Sequence, residues 1–511
     1  MQSTVNQYYG LSAISNSLRH FLTGKSVKLI TSLATLILLA RLLPTQQYAA
    51  FISFHALMAI SGTIASVGIQ PVLFRYLPEL RSAGNNHTMY QLLFIGVVSR
   101  ALIIFGLVVT ILPFLPFVAD KFNVTQWLWL LPWFLGVGVI QQTALTLSQS
   151  LESLLWQREA QYTLALGGVV RLLGIVCAAS VGMLNLTILL LIEAVSEILI
   201  LTLLVLRGRA RWREDESRNQ GDSAWWAKNR KRVIKYGAWG LAVNQTGVLY
   251  GSAPNRLFAA HFFATAEVAI LGLADSVIKL ARRFMPTRML IGLIRPIFMA
   301  RFTETGNFQQ LVRMSNMVYR LNMMILMLPI ALLTVSGEPF FDWMTANKYG
   351  TAAPLLAGFL VLMIIEGLRS LLELLVQAVE KNHMFLVTNC VQSLSLFLAI
   401  PFVSMFGLWS LVFANALGTV LANIIVVGWL RSRGFKFRLD VRLTLLIVVY
   451  GGTSIILGVW CREKFNSHVL ATAVVVMVYV SLVLVHAPLK KTEQHQLKWL
   501  FSKSLGKSDN K

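Results

Sequence analysis

Apolar stretches long enough to cross a bilayer recur from one end of this chain to the other. A helix needs about 20 apolar residues to span the hydrocarbon core. Backbone in lipid must satisfy its own hydrogen bonds, so the stretches read as helices. The strict alternation that a transmembrane β-barrel requires is absent. Composition agrees: of 511 residues, 56% are hydrophobic and 13% are charged, where a soluble domain carries roughly a quarter charged residues. The expected fold class is an all-α polytopic membrane protein.

By the ~20-residue rule we expect about fourteen spans, centred on Ala34, Leu57, Phe105, Val139, Gly174, Ser196, Gly247, Val277, Leu328, Met363, Leu394, Leu417, Gly451 and Val476. Those around Gly247 and Val277 are the most polar. Basic residues fix the orientation, because Lys and Arg collect in cytoplasmic loops. They crowd residues 207–235, the loop around Arg431 and the C-terminal tail. Even spacing of spans puts all three on the cytoplasmic side, with both termini. The expected organisation is a six-helix lobe over residues 1–206 and a basic cytoplasmic linker over 207–235. A second six-helix lobe follows over 236–431, then two extra helices and a basic tail over 432–511.

The net charge of +23 then reads as a topology signal. No domain outside the membrane exists to hold nucleic acid. Cys177, Cys390 and Cys461 are far apart and lack ligand spacing, so neither a disulfide framework nor a metal site is expected. There is no Walker A loop, and no cofactor is expected. The mostly polar residues 1–24 do not read as a cleavable signal peptide.

Charges inside spans are the informative feature, because ionisable residues at membrane depth usually face a cavity or a partner. In "EVAILGLADSVIKLARRF" (267–284), Asp275, Lys279 and Arg283 repeat at i, i+4, i+8, with Arg282 beside them. That spacing lines one helical face. Lys279 would lie about 18 Å along a span entered at Glu267. "IIEGLRSLLELL" places Glu366, Arg369 and Glu373 on one face, and Glu193 and Glu197 stand at i, i+4. Arg171, Asn244 and Arg256 fall in other spans. Arg41, Arg75 and Arg100 lie near span ends and are expected to snorkel. Arg288 and Arg295 lie at the cytoplasmic mouth. His55 reads as a packing residue or a proton relay. Two readings remain open. In one, Asp275–Lys279, Glu366–Arg369 and Glu193–Arg171 are structural ion pairs. In the other, the basic groups line a hydrated, net cationic lumen.

Two stretches echo each other: "ARLLPTQQYAAFISFHAL" and "NRLFAAHFFATAEVAILGLA". Each runs from Arg-Leu through a short turn into an Ala-rich re-entry, as in a two-lobe repeat. On residues 40–80 and 254–280, the chain resembles the polysaccharide exporters, or Wzx-type O-antigen flippases, of the MOP (multidrug/oligosaccharidyl-lipid/polysaccharide) superfamily. Departures are Asn255 where such proteins often carry Asp before Arg, and Tyr48-Ala49 for Tyr-Gly. The resemblance implies two six-helix lobes around a central cavity, opening alternately to the two sides of a bacterial inner membrane. The implied substrate is an undecaprenyl-pyrophosphate-linked oligosaccharide; implied partners are membrane lipids, a polysaccharide polymerase and chain-length proteins.

Arginine and lysine suit a diphosphate. Candidate substrate contacts are therefore Lys279, Arg282, Arg283, Arg256, Arg369, Arg171 and Asn244. Candidate ion-coupling groups are Asp275, Glu366, Glu373, Glu193 and Glu197. The rival is a MATE-like multidrug or cation-coupled antiporter, which would want an acidic lumen. A membrane enzyme is disfavoured, because the longest outer loop, 337–351, holds no recognisable catalytic set.

Overall fold

The computed structural model describes residues 11–216, 225–282, 285, 287, 307–379 and 384–486. Every regular element among them is a helix. The chain forms two compact units, one of residues 1–248 with 256–261, the other of residues 249–255 with 262–511.

The first unit contains α1 (Leu11–Leu42), α2 (Thr45–Ile64), α3 (Ile69–Ser82), α4 (Asn86–Ile111), α5 (Leu115–Lys121), α6 (Leu131–Ser153), α7 (Gln157–Ser180), α8 (Leu186–Glu216) and α9 (Trp225–Thr246). Boundaries follow local chemistry. Pro44 stands at the N-cap of α2, where its missing N–H costs no helical bond. Asn85 caps α4 by accepting from Thr88 N at 3.3 Å, and Asn185 accepts from Ile188 N at 2.9 Å at the start of α8. Between α2 and α3 the axis turns by 61°. Gly68 makes that turn at φ 73°, in the left-handed region that glycine enters without a Cβ penalty.

Two apolar cores stack along this unit. One joins Phe54, Ile104, Val108, Phe134, Leu135, Leu186 and Leu190. The other joins Leu77, Met89, Leu93, Leu147, Leu151, Ile200 and Leu204. On α4, α6 and α8 the residues between the two cores are Arg100, Gln141 with Gln142, and Glu193 with Glu197. A polar layer thus crosses the unit at mid-helix depth, sealed by hydrocarbon above and below.

α10 (Ser252–Phe262) contributes residues to both units. The second unit continues with α11 (Thr265–Arg282), α12 (Phe308–Thr345), α13 (Ala352–Ala378), α14 (Met384–Ser395), α15 (Val403–Phe406), α16 (Trp409–Ser432), α17 (Val441–Phe465) and α18 (His468–His486). α13 is the most enclosed span, with 72% of its apolar window buried, and α11, α12 and α16 pack around it. The α17–α18 hairpin docks on α12. Asp440 joins them twice: it accepts from Leu443 N as the cap of α17, and it binds the deeply buried Arg320 of α12 at 2.8 Å.

Ten helices among the described residues are long and apolar enough to cross a membrane, and the bent α2–α3 pair is an eleventh candidate. This multi-pass architecture leaves large side chains such as Phe94, Trp133, Trp343 and Val469 exposed, as lipid contact requires. Three of the fourteen expected spans are not among these candidates: those around Ala34 in α1, Gly247 and Val277. No continuous helix runs through Gly247: α9 ends at Thr246, and α10 starts only at Ser252. Glycines at 247 and 251 and Pro254 make that break intelligible. α11, around Val277, is 18 residues long but carries Glu267, Asp275, Lys279 and Arg282, too many charges for a simple lipid-facing span.

Candidate functional site

In the first unit the polar layer is a connected cluster. Arg171 on α7 reaches Glu197 on α8 at 2.6 Å and Glu193, one turn earlier, at 3.7 Å. Gln141 on α6 donates to the same Glu197 oxygen at 3.1 Å. His55 on α2 places Nε2 3.3 Å from the other oxygen of Glu193. Its ring is held edge-on by Phe51 and Phe134, at centroid distances of 4.4 and 5.1 Å. Both acids are buried, whereas Arg171 and His55 are partly accessible. Two carboxylates against one guanidinium leave the cluster at −1 while His55 is neutral, and at zero once it is protonated.

Arg100 corrects the expectation of a snorkelling residue. It is buried, and it donates to Gly62 O at 3.3 Å and to Gln70 Oε1 at 3.4 Å. It sits in the middle of α4, too far from either end to reach headgroups. Arg41 and Arg75 are exposed, as expected of span-end residues. Asn244 on α9 donates to Ser66 Oγ at 3.3 Å, and Gln245 donates to the carbonyls of Thr63 and Ile64 at 3.3 and 3.0 Å. These two amides therefore tie α9 to the α2–α3 bend. Arg256 is buried.

In the second unit the helix break at 247–251 brings hydroxyl groups to charged helices. Tyr250 donates to Glu366 on α13 at 2.8 Å and meets Thr419 on α16 at 2.9 Å. Ser252 donates to Asp275 on α11 at 2.5 Å. Asp275 also lies 3.7 Å from Lys279. Glu366 pairs with Arg282 at 2.9 Å. Arg369 turns instead to Glu373 at 3.1 Å, and to Thr388 and Asn389 at 3.0 and 2.9 Å. Of the three pairs expected on the ion-pair reading, Asp275–Lys279 and Glu193–Arg171 are present. Glu366–Arg369 is not, because α11 offers Glu366 a guanidinium from across the helix interface.

The second cluster is thus locally balanced: Asp275 with Lys279, Glu366 with Arg282, Glu373 with Arg369. Among the described members of the α11 set Lys279 is the most accessible, its side chain 45% exposed against 10% for Asp275. Arg283, Arg288 and Arg295 lie outside the described residues. Tyr250, Ser252, Gln141 and Thr419 were not singled out from sequence. The Gly-Val-Leu-Tyr-Gly-Ser run over 247–252 is the signal that could have found the first two. Among the described residues, no group of three or more His, Cys, Asp or Glu is placed to hold a metal ion.

No family model matches the chain. A 220-residue stretch is 27% identical to the uncharacterized membrane protein EpsK of Bacillus subtilis (strain 168). The match covers 41% of this chain and 42% of that relative, less than half the length of either. Among solved structures, the lipid II flippase MurJ in an inward closed conformation superposes with a TM-score of 0.66 at 10% identity, over 91% of this chain and 98% of that one. An inward-facing multidrug resistance MATE family transporter of the MOP superfamily gives 0.54 at 14% identity, over 80% and 94%. The MATE transporter VcmN of Vibrio cholerae gives 0.51 at 15% identity, over 84% and 100%. The chain therefore has the fold seen in MurJ and in MATE transporters.

Proposed function

We propose that this protein is a flippase of a bacterial inner membrane, moving an undecaprenyl-pyrophosphate-linked oligosaccharide by alternating access. The oligosaccharide would be the repeat unit of an O-antigen or exopolysaccharide. On this reading the chain crosses the membrane about fourteen times by the ~20-residue rule. Both termini and the basic segment 207–235 are then cytoplasmic. A polysaccharide polymerase and chain-length proteins would act on the delivered product.

The observation that carries the reading is Lys279. Its ammonium lies about 21 Å along α11 at 1.5 Å per residue, yet nearly half of the side chain is accessible. A charge at bilayer depth costs from ~2.5 kcal/mol upward; Asp275 at 3.7 Å meets part of that cost, and the accessible side of the lysine is open to water or to a second anion. A pyrophosphate supplies the anion, while the prenyl chain stays in lipid. A membrane potential negative inside would assist outward movement by about 2.3 kcal/mol per charge per 100 mV. The shared fold of a lipid II flippase supports a lipid-linked substrate. The test is Lys279→Ala in the native host: polyprenyl-linked glycan should accumulate while the variant protein still inserts. Normal export at native expression removes Lys279 from the mechanism.

A second reading, a MATE-like cation-coupled multidrug antiporter, is favoured by the first unit. There Glu193 and Glu197 are buried beside His55 and Arg171, an arrangement able to take up a cation. It predicts that deletion sensitises cells to organic cations and leaves polyprenyl glycans unchanged.

A further inference from the structure

Pro339 in α12 has no N–H to give to the carbonyl four residues earlier, at Val335. The helix bends there: Ser336 leaves helical geometry at φ −136°, ψ 17°. The freed Val335 carbonyl is taken by Arg462 of α17, whose Nη1 donates at 3.0 Å. Ser336 Oγ donates to His468 O, at the start of α18, at 3.3 Å. The bend and its two ties open a cavity of about 460 Å³ lined by Glu338, Asp342, Trp409, Arg462 and His468 over Pro339 and Pro354. The volume falls in the ~300–1,000 Å³ range of small-molecule sites.

Three features define what would fit. First, Trp409 lies against the backbone of α13 at Gly358, where a Cβ would come within 2.5 Å of indole Cζ3. One side of the ring is backed by helix while the residue lines the cavity, and it remains 37% exposed. Second, the lining holds the carboxylates of Glu338 and Asp342 and the Arg462 guanidinium, a net −1 while His468 is neutral, which repels phosphate and favours hydroxyl donors. Third, Phe340, Trp343, Trp460 and Phe465 are exposed around the same residues, the aromatic girdle expected at headgroup depth. On that placement the cavity opens at the headgroup interface. An aromatic plate beside carboxylates and a guanidinium at a wet interface matches a sugar ring: its C–H face packs on indole, and its hydroxyls bond the charged groups.

We propose that this cavity is a carbohydrate-binding subsite that takes a short neutral saccharide. It deepens the flippase reading, on which the glycan would be the sugar portion of the transported lipid, but its test is independent of transport. Full-length protein in nanodiscs is examined by saturation-transfer NMR with the methyl glycosides of glucose, galactose and N-acetylglucosamine as probes. Transfer to at least one glycoside is expected. Trp409→Ala and Glu338→Gln should each weaken it about tenfold, as expected for loss of one strong contact. Trp133→Ala, in the first unit, should leave it unchanged. Glu338 is exposed, so its variant keeps the test valid should Trp409→Ala misfold. The proposal is overturned by absence of transfer to every glycoside, by equal transfer in Glu338→Gln, or by displacement of the probe by short-chain phosphatidylethanolamine. If transfer is seen but deletion of the protein accumulates no polyprenyl glycan, the subsite stands and the flippase reading fails. If glycan accumulates without transfer, the reverse holds.

Discussion

Lys279 and Arg282 are three residues apart on α11, yet they call for different experiments. Arg282 holds Glu366 at 2.9 Å, with both side chains mostly buried. Removing one partner of such a pair strands the other charge, a loss of about 3–5 kcal/mol. Arg282→Gln should therefore lower the thermal unfolding midpoint of the purified protein clearly, and Arg282→Gln/Glu366→Gln should recover most of the loss. A double variant no better than the single one would contradict the pairing. Lys279 is half exposed, where an ion pair is worth about 0–1 kcal/mol. Lys279→Ala should unfold at nearly the wild-type temperature while export falls about tenfold or more, the size expected for one charged contact in transit. The charged face of α11 was legible in sequence because i, i+4 spacing reports it. The choice of Arg282 over Arg369 as the partner of Glu366 was not. Both are sterically available, and the approach of α11 to α13 decides between them.

Elements carry their own tests. The α2–α3 bend needs Gly68, both for its left-handed φ and because a Cβ there would meet the carbonyl of Gly237 on α9. Gly68→Ala should cost about 1–3 kcal/mol in backbone strain, more if α9 is pushed away, read as a lower unfolding midpoint with reduced yield. Asp440 both caps α17 and neutralises buried Arg320. Asp440→Ala should lose about 1 kcal/mol of capping and strand most of a buried charge. The 433–440 connection should then become protease-sensitive while cleavage elsewhere is unchanged; unchanged cleavage there would refute the docking role. Most spans could be read directly, because ~20 apolar residues have few other fates in water. The broken stretch 247–251 could not, because its apolar residues resemble a span centre. Only hydroxyl contacts made by Tyr250 and Ser252 with distant helices show what the break positions.

On the scale of the molecule, the first unit sets ionisable groups between two apolar cores, and in both units the clustered acids meet basic partners. Among the described residues, the basic groups of α7, α11 and α13 expected either to pair with acids or to line a cationic lumen do lie beside acids. Arg171, Arg282, Arg369 and Lys279 each lie beside an acid, and Lys279 is more accessible than Arg282. Sequence spacing located these groups but could not assign their partners, since partners come from neighbouring helices. Transport on this account needs one exposed ammonium to meet a diphosphate, with the paired charges holding the helices that present it. The direct measurement is the polyprenyl-linked glycan content of host membranes after deletion, with wild-type or Lys279→Ala protein restored at native level. The account predicts accumulation of a pyrophosphate-linked oligosaccharide on the cytoplasmic leaflet in the deletion, its clearance by wild-type, and its persistence with Lys279→Ala. Unchanged polyprenyl glycans in the deletion strain, or full clearance by the Lys279→Ala protein, would contradict it.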